Sequence, residues 1–493
     1  MRTVLTAEGM RALETACFER GIRSVDAMER AAGAVADFLA ERLGCRALVY
    51  FACGPGMNGG DGYAAARLYA AKGGRSVVIP LGEEARLTGD ALSNCVRAHE
   101  TPRVWFRGPG EFGERPDAWV DALIGIGLKR PLNEAAAALV RRMAADRRRG
   151  SLVVAVDVPS GLDATTGRAL GEAVAADATV TFEHLKSGHI LSEGPEYCGE
   201  VLVRSVGLSG DVPDAALLID KPDLAGALPR RGRESHKTTF GHLLLAAGSV
   251  GMAGAALLAA RSALRSGVGL LTIACPESIV PILQIGAPGA VCVPLPEAGG
   301  AVSEAALPRL AAALSGKSAA AVGPGLGRAH PGVVRLILES GLPAVMDADA
   351  LNLLAENREM MSLLGPRHVL TPHPGEAARL IGVKPVDLIE GAGALRALGA
   401  TVILKGPTSV IAGERTYLSA SGTAGMARGG SGDVLTGLTG ALLAQGLPPE
   451  KAAWVADELH GLAGEKAAQK YGVVSMGALE IIDCLPEVMG LAL

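Results

Sequence analysis

The chain has 493 residues, 49% hydrophobic, 20% charged and only 3% aromatic, and its 47 basic and 51 acidic side chains leave a net charge of −4. This balance excludes a disordered, collagenous or coiled-coil chain, and it provides no global field to recruit nucleic acid or acidic lipid. Eight cysteines with no CxxC pair outline neither a disulfide framework nor a zinc site, so a reducing cytoplasm is the expected compartment.

The N-terminus shows no apolar signal-peptide core. Thr6 and Ser24 read as caps of two helices, the second carrying Met28, Ala32, Val35 and Leu39 at helical spacing up to a stop at Gly44. Strand-like runs follow at 47–52, 76–80, 119–124, 152–156 and 178–182, with helical stretches such as 62–71 and 134–145 between them. The basic run from Arg141 to Arg149 reads as a solvated helix end. Prolines 213, 222 and 229 and an RRGRE segment then mark a boundary near 222, giving domains 1–220 and 221–493. The stretch 238–260 carries no charged side chain and is long enough to span a bilayer, but its glycines read better as strand, loop and helix, so no membrane partner is expected. A second series has strands at 243–246, 270–274, 319–322, 344–346, 368–370 and 402–404, and a helix at 255–265. Apolar strands alternating with helices predict α/β architecture: two doubly wound, three-layer domains.

In the first domain, a strand runs into Gly54-Pro55-Gly56-Met57-Asn58-Gly59-Gly60-Asp61-Gly62 and then a helix. Glycines there let a phosphate approach the backbone at a helix start, although a packing turn would use the same residues. Asp121 and Asp157 lie in the apolar runs WVDALIGIG and LVVAVDVPSG, where an isolated carboxylate needs a cation, donors or water. Asn58, Asp121 and Ser160 offer oxygen ligands for a hard, weakly charged cation, and Asp157 is a candidate acid/base; helix or turn capping is the competing reading.

GPGMNGGDG, DALIGIGLKRPL, VDVPSGLDATTG and AMERAA together resemble the NAD(P)H-hydrate epimerase family across nearly all of residues 1–215. The resemblance implies a Rossmann-like domain that interconverts R- and S-NAD(P)HX. It implies potassium at Asn58, Asp121 and Ser160, and substrate contacts at Met57, Asn58, Gly59, Gly60 and Asp61, at Gly125, Ile126, Gly127, Leu128, Lys129, Arg130 and Pro131, and at Asp157, with Asp157 catalytic. The family usually has Asn where Met57 stands, and a methionine can neither donate nor accept as Asn does.

In the second domain, Ala-Arg-Gly-Gly-Ser-Gly-Asp precedes an apolar helix at 434–443, so its N–H groups would form an anion hole, with Asp433 either a helix cap or a base. Lys405 follows a strand and could reach phosphate oxygens. There is no Walker-type motif. HKTTFGH, GPGLG, DADALNLLA, LTPHPGEAARL, LKGPTSVI and GGSGDVLTG resemble the ADP-dependent NAD(P)H-hydrate dehydratase family, which is ribokinase-like, over about 230–490. The resemblance implies nucleotide contacts at Lys405, Gly406, Pro407, Thr408, Ser409 and Gly432. It places Ala255, Gly325, His373 and Asp433 along the hydrate, with Asp433 catalytic. Magnesium is expected to accompany ADP, the small-molecule partners are NADHX, NADPHX and ADP, and a homo-oligomer is the expected assembly. The competing readings are a small-alcohol, vitamin-precursor kinase with a non-catalytic N-terminal nucleotide-binding module, and a plain Rossmann oxidoreductase.

Overall fold

In the computed structural model, which describes every residue except Arg328 and Val386, the apolar runs of a first unit, Arg2–Ala216, pair into a seven-stranded parallel sheet. Its order is Val104–Phe106, Arg75–Pro80, Leu48–Cys53, Ala118–Ala122, Leu152–Val156, Ala178–Phe182, Glu200–Arg204. Side chains alternate between the faces. Val49, Phe51 and Cys53 pack with helices Ala7–Glu19, Ser24–Leu43, Met57–Ala71 and Gly89–His99, whereas Leu48, Tyr50 and Ala52 pack with Glu134–Arg147. On the latter face Trp119 is wholly buried, meets the Tyr50 ring edge-on at 5.1 Å and donates its indole N–H to Asp146 Oδ2 at 3.1 Å. The ring is thus buried without an orphaned donor. The strand order reverses between Leu48–Cys53 and Ala118–Ala122, which opens a crevice at their carboxyl ends.

Two local details differ from the sequence reading. Thr6 caps its helix, accepting from Gly9 N at 3.0 Å, but Ser24 is a helical residue whose hydroxyl donates to Asp90. The helix after the glycine loop starts at Met57, so Gly59, Gly60 and Gly62 are helical. Close approach outweighs glycine's poor propensity here: a Cβ on Gly62 would lie 2.6 Å from Ala122 Cβ, and one on Gly59 would lie 1.8 Å from the Gly54 carbonyl oxygen.

The second unit, Leu217–Leu493, repeats the logic with strands ordered Val291–Leu295, Leu270–Pro276, His242–Ala246, Ala319–Val322, Ala344–Met346, His368–Leu370, Thr401–Leu404, Ser409–Ala412, Thr416–Ser419. Ser409–Ala412 pairs antiparallel with both of its neighbours; the other pairs are parallel. Leu243, Leu245 and Ala321 pack with helices Ala253–Arg265, Ser431–Ala444, Pro449–Tyr471 and Ala478–Met489. The uncharged 238–260 stretch becomes the strand His242–Ala246, a glycine loop and the helix Ala253–Arg265, and among the described residues no helix is long and apolar enough to cross a membrane.

Helices Ala253–Arg265 and Ser431–Ala444 approach so closely that a Cβ on Gly437 would lie 2.0 Å from the Ala259 carbonyl oxygen. Backbone cannot yield as a side chain does. Gly437→Ala is therefore expected to cost the second unit about 1–3 kcal/mol despite alanine's better helix propensity, read as a lower melting temperature.

Candidate active sites

At the crevice of the first unit, Asp121 lies one residue before the end of its strand, fully buried. Its Oδ1 accepts the Ser160 hydroxyl at 2.6 Å and its Oδ2 the Ser160 N–H at 2.7 Å, while Leu123 N adds a longer bond of 3.3 Å to Oδ1. All of these donors are neutral. Burial pushes the carboxyl up to about 6, and the Ser160 bonds only partly oppose it. Asn58, on the first turn of its helix, reaches the neighbouring strand end: with its amide turned to satisfy both groups, it donates to the Val156 carbonyl at 3.2 Å and accepts from Gly125 N at 3.3 Å. The loop 125–131 passes beside it, with Gly125 and Leu128 buried, Ile126 half-buried, and Gly127, Lys129, Arg130 and Pro131 exposed. Met57 is exposed at the helix start, and Asp61 lies one turn on, its carboxyl raised well above the usual range by burial and then by the charges of Asp157 and Glu14.

Asp157 follows the next strand in the left-handed region, φ 65°. For a non-glycine residue this conformation is strained and costs on the order of 1 kcal/mol. Several bonds hold it: its N–H donates to Val180 O at 2.8 Å, and its carbonyl accepts His189 Nε2 at 2.8 Å. Burial and the adjacent Lys186 hold the His189 imidazole down to about 4, so the ring is neutral and its Nδ1 accepts from Lys186 N at 3.1 Å. Burial alone would raise the Asp157 carboxyl. The Lys186 ammonium at 2.6 Å, His189 and the Thr181 hydroxyl outweigh it and hold the group below the usual range.

In the second unit, the loops after His242–Ala246 and Ala319–Val322 are tied together by Gly248 N to Pro324 O at 2.9 Å and by the Ser249 hydroxyl to Gly325 O at 2.9 Å. Gly325, φ 57°, lies against the helix start, where a Cβ would come 2.9 Å from that of Ala255. Lys405 donates to Asp347 Oδ1 at 2.9 Å, and Asp347, 2% exposed, also accepts the hydroxyls of Thr371 and Thr436 at 2.7 Å each. Burial disfavours the ammonium, but Asp347, Glu376 and Asp433 together hold it above its ordinary value, so it stays charged. Gly432 sits over this pair, its absent Cβ 3.3 Å from Lys405 Nζ. Asp433, in the first turn of the helix Ser431–Ala444, is pushed up to about 7 by burial and then by Asp347, against the pull of Lys405. Gly406 and Pro407 are exposed, and Thr408 and Ser409 turn inward. His373 caps the helix Pro374–Ile381: its Nδ1 accepts from Gly375 N at 2.9 Å, and Glu376 returns a bond to His373 N at 2.8 Å.

Residues 24–188 match the family model described as YjeF-related protein N-terminus, and 243–487 match NAD(P)H-hydrate dehydratase. The bifunctional NAD(P)H-hydrate repair enzyme Nnr of Coxiella burnetii is 35% identical, with 97% of each chain covered. The chain belongs to the bifunctional NAD(P)H-hydrate repair enzyme family. The relative of the same name from Moorella thermoacetica is 36% identical, covering 95% of this chain and 91% of its own. This full-length similarity favours a repair enzyme over a small-alcohol kinase. A ribokinase-like superfamily protein from Enterococcus faecalis superposes with a TM-score of 0.50 and 24% identity, over 56% of this chain and 95% of its own, and so gives the repair enzyme's second unit its ribokinase-like fold.

The tertiary structure adds residues that sequence reasoning did not single out. Lys186, Thr181, His189 and Glu14 surround Asp157, and Asp347, Thr371, Thr436 and Glu376 surround Lys405. Asp347 did carry a signal, an acid ending the apolar run PAVM, the same one that marks Asp121 and Asp157. Because Asp347 holds three donors in a dry site, Asp347→Ala is expected to destabilise the second unit by about 3 kcal/mol and Thr436→Val by about 1 kcal/mol. The urea midpoint of that unit's unfolding measures both.

Proposed function

We propose that the protein repairs hydrated nicotinamide nucleotides in two steps: the first unit interconverts R- and S-NAD(P)HX, and the second dehydrates the S form at the expense of ADP, giving NAD(P)H, AMP and phosphate. The observation that carries the reading is the placement of Asp433: a carboxyl raised to about 7, in the first turn of a helix and beside the Lys405 ammonium. A base poised near neutrality takes a hydroxyl proton readily, and helix N–H groups with a fixed cation favour a phosphoryl group.

In the dehydratase unit the hydrate would lie along Ala255, Gly325 and His373, and the nucleotide along Lys405 to Ser409 and Gly432. Asp433 removes the proton of the ring hydroxyl as its oxygen bonds to the β-phosphorus of ADP and AMP leaves. The ring nitrogen lone pair then expels the ester as inorganic phosphate, and loss of a C5 proton from the resulting iminium restores the dihydropyridine, so a poor leaving group, hydroxide, has been replaced by a good one. Lys405 steadies the transferred group's charge. Magnesium would arrive on the nucleotide phosphates, where an ion that retains several waters is ordinarily held.

In the epimerase unit, Asp157 exchanges the proton, and the nucleotide would lie along 57–61 and 125–131. The Asp121, Ser160 and Asn58 oxygens suit potassium, because Asp121 is a buried carboxylate with only neutral donors. The ion would supply the missing positive charge. Both units would work in the cytoplasm, as a homo-oligomer.

A mixture of R- and S-NADHX incubated with ADP should be converted completely, followed by reduced-nicotinamide absorbance; conversion that stops when the S form is spent would remove the epimerase. Asp433→Asn should abolish repair, and Asp157→Asn should leave S-only repair. Because Asp433 must be ionised to take the proton and its carboxyl is raised to about 7, dehydration should fall as pH drops through about 7. An acid limb near the ordinary carboxylate value would overturn that assignment.

A further inference from the structure

Lys186 is 1% exposed and lies on the short strand Leu185–Lys186, which pairs in parallel with Arg2–Leu5. An ammonium has three donors. This one places them on Asp157 Oδ1 at 2.6 Å, Thr181 Oγ1 at 3.0 Å and the Phe182 carbonyl at 3.0 Å. The Thr181 hydroxyl, accepting from the lysine, donates in turn to the same Oδ1 at 2.9 Å. Both side-chain bonds therefore fall on one carboxylate oxygen. No described residue donates to Oδ2. The lysine itself has no donor left for a substrate and is closed off from solvent.

We propose that Lys186 is a positioning residue of the epimerase site: with Thr181 it fixes Oδ1 of Asp157, and so presents Oδ2 as the oxygen that exchanges a proton with the nucleotide. The inference rests on Asp157 being the proton-transferring group. Oδ2 takes a proton in one half of the epimerisation and returns it in the other, so the carboxylate ends with the charge it began with. The buried ammonium keeps that carboxylate ionised between turnovers in a place where burial alone would protonate it. The surroundings sharpen the need for it. Glu14, on the helix Ala7–Glu19, and Asp61, on the helix Met57–Ala71, lie near enough to feel the charge of Asp157, and each carboxyl is raised first by its own burial and then by that charge. Arg11 opposes this at Glu14, and His189 stays neutral. Lys186 is the cation bonded directly to Asp157.

The test uses the full chain with R-NADHX and no ADP, which silences dehydration, and follows the two epimers by chromatography from about pH 5 to about pH 9. Lys186→Met should lower kcat about 100-fold with KM little changed, and should move the acid limb of the kcat profile to higher pH, because the base form of Asp157 is lost earlier as pH falls. Lys186→Arg, which keeps the charge, should restore much of the rate and the original limb. An unchanged pH profile in Lys186→Met overturns the proposal. A rise in KM alone also overturns it, since the ammonium would then be touching the nucleotide. Where Lys186→Met loses its near-ultraviolet dichroism, Thr181→Val decides: a smaller upward shift of the limb supports the positioning role, and an unmoved limb overturns it. Asp157→Asn run alongside separates the two layers of argument, because epimerisation surviving in that variant removes Asp157 itself.

Discussion

Each unit is organised around an aspartate at the carboxyl end of a parallel strand that is bonded to a buried or half-buried lysine: Asp157 with Lys186, and Asp347 with Lys405. A carboxylate in such a place has lost most of its hydration, and a parallel sheet covered on both faces supplies no water to replace it. The lysine restores the balance, and hydroxyls of Thr181, Thr371 and Thr436 add further bonds to the carboxylates. The polar ends of the two sheets depend on these pairs, because each supplies the cation bonded directly to its aspartate.

Asp121 and Asp433 have no cation bonded to them among the described residues, and their proton affinities diverge from that of Asp157 accordingly. Asp121 meets only the neutral donors of Ser160 and Leu123 and rises to about 6; Asp433 meets burial and the charge of Asp347 and rises to about 7. Asp157 goes the other way. Three carboxyl groups of one chemical type thus take three different proton affinities, and the proposed roles of standing base, poised base and seat for a cation rest on that divergence. Glycine loops make this crowding feasible. A Cβ on Gly54 would lie 1.8 Å from the Leu123 carbonyl oxygen, and one on Gly323 would lie 1.8 Å from that of Asp347, so backbone stacks on backbone beside the acids.

Much of this was legible in the amino-acid order, for identifiable reasons. Strands buried on both faces leave continuous apolar runs, so an acid such as Asp121 or Asp157 inside one stands out, and glycine strings announce where chain must approach chain. The helix start at Met57 was missed because three glycines argue against helix, and only the distance to Ala122 and Gly54 shows why they are tolerated. Lys186 was missed because a lone lysine between Leu185 and Ser187 gives no sign of whether its ammonium points to solvent or inward. His373, expected along the hydrate, caps the following helix, a local bond that its place before Pro374 does not announce.

The sequence by itself determined the two α/β series, the acids at strand ends, the glycine loops and the family to which they point, since each is a local pattern of residue types. Only the tertiary structure decided which lysine answers which aspartate, that both side-chain donors to Asp157 fall on one oxygen, and that burial raises the Asp433 carboxyl to about 7. Those properties depend on separations of a few ångströms between residues 29 to 86 positions apart and on the exclusion of water, and neither is written in the order of the chain.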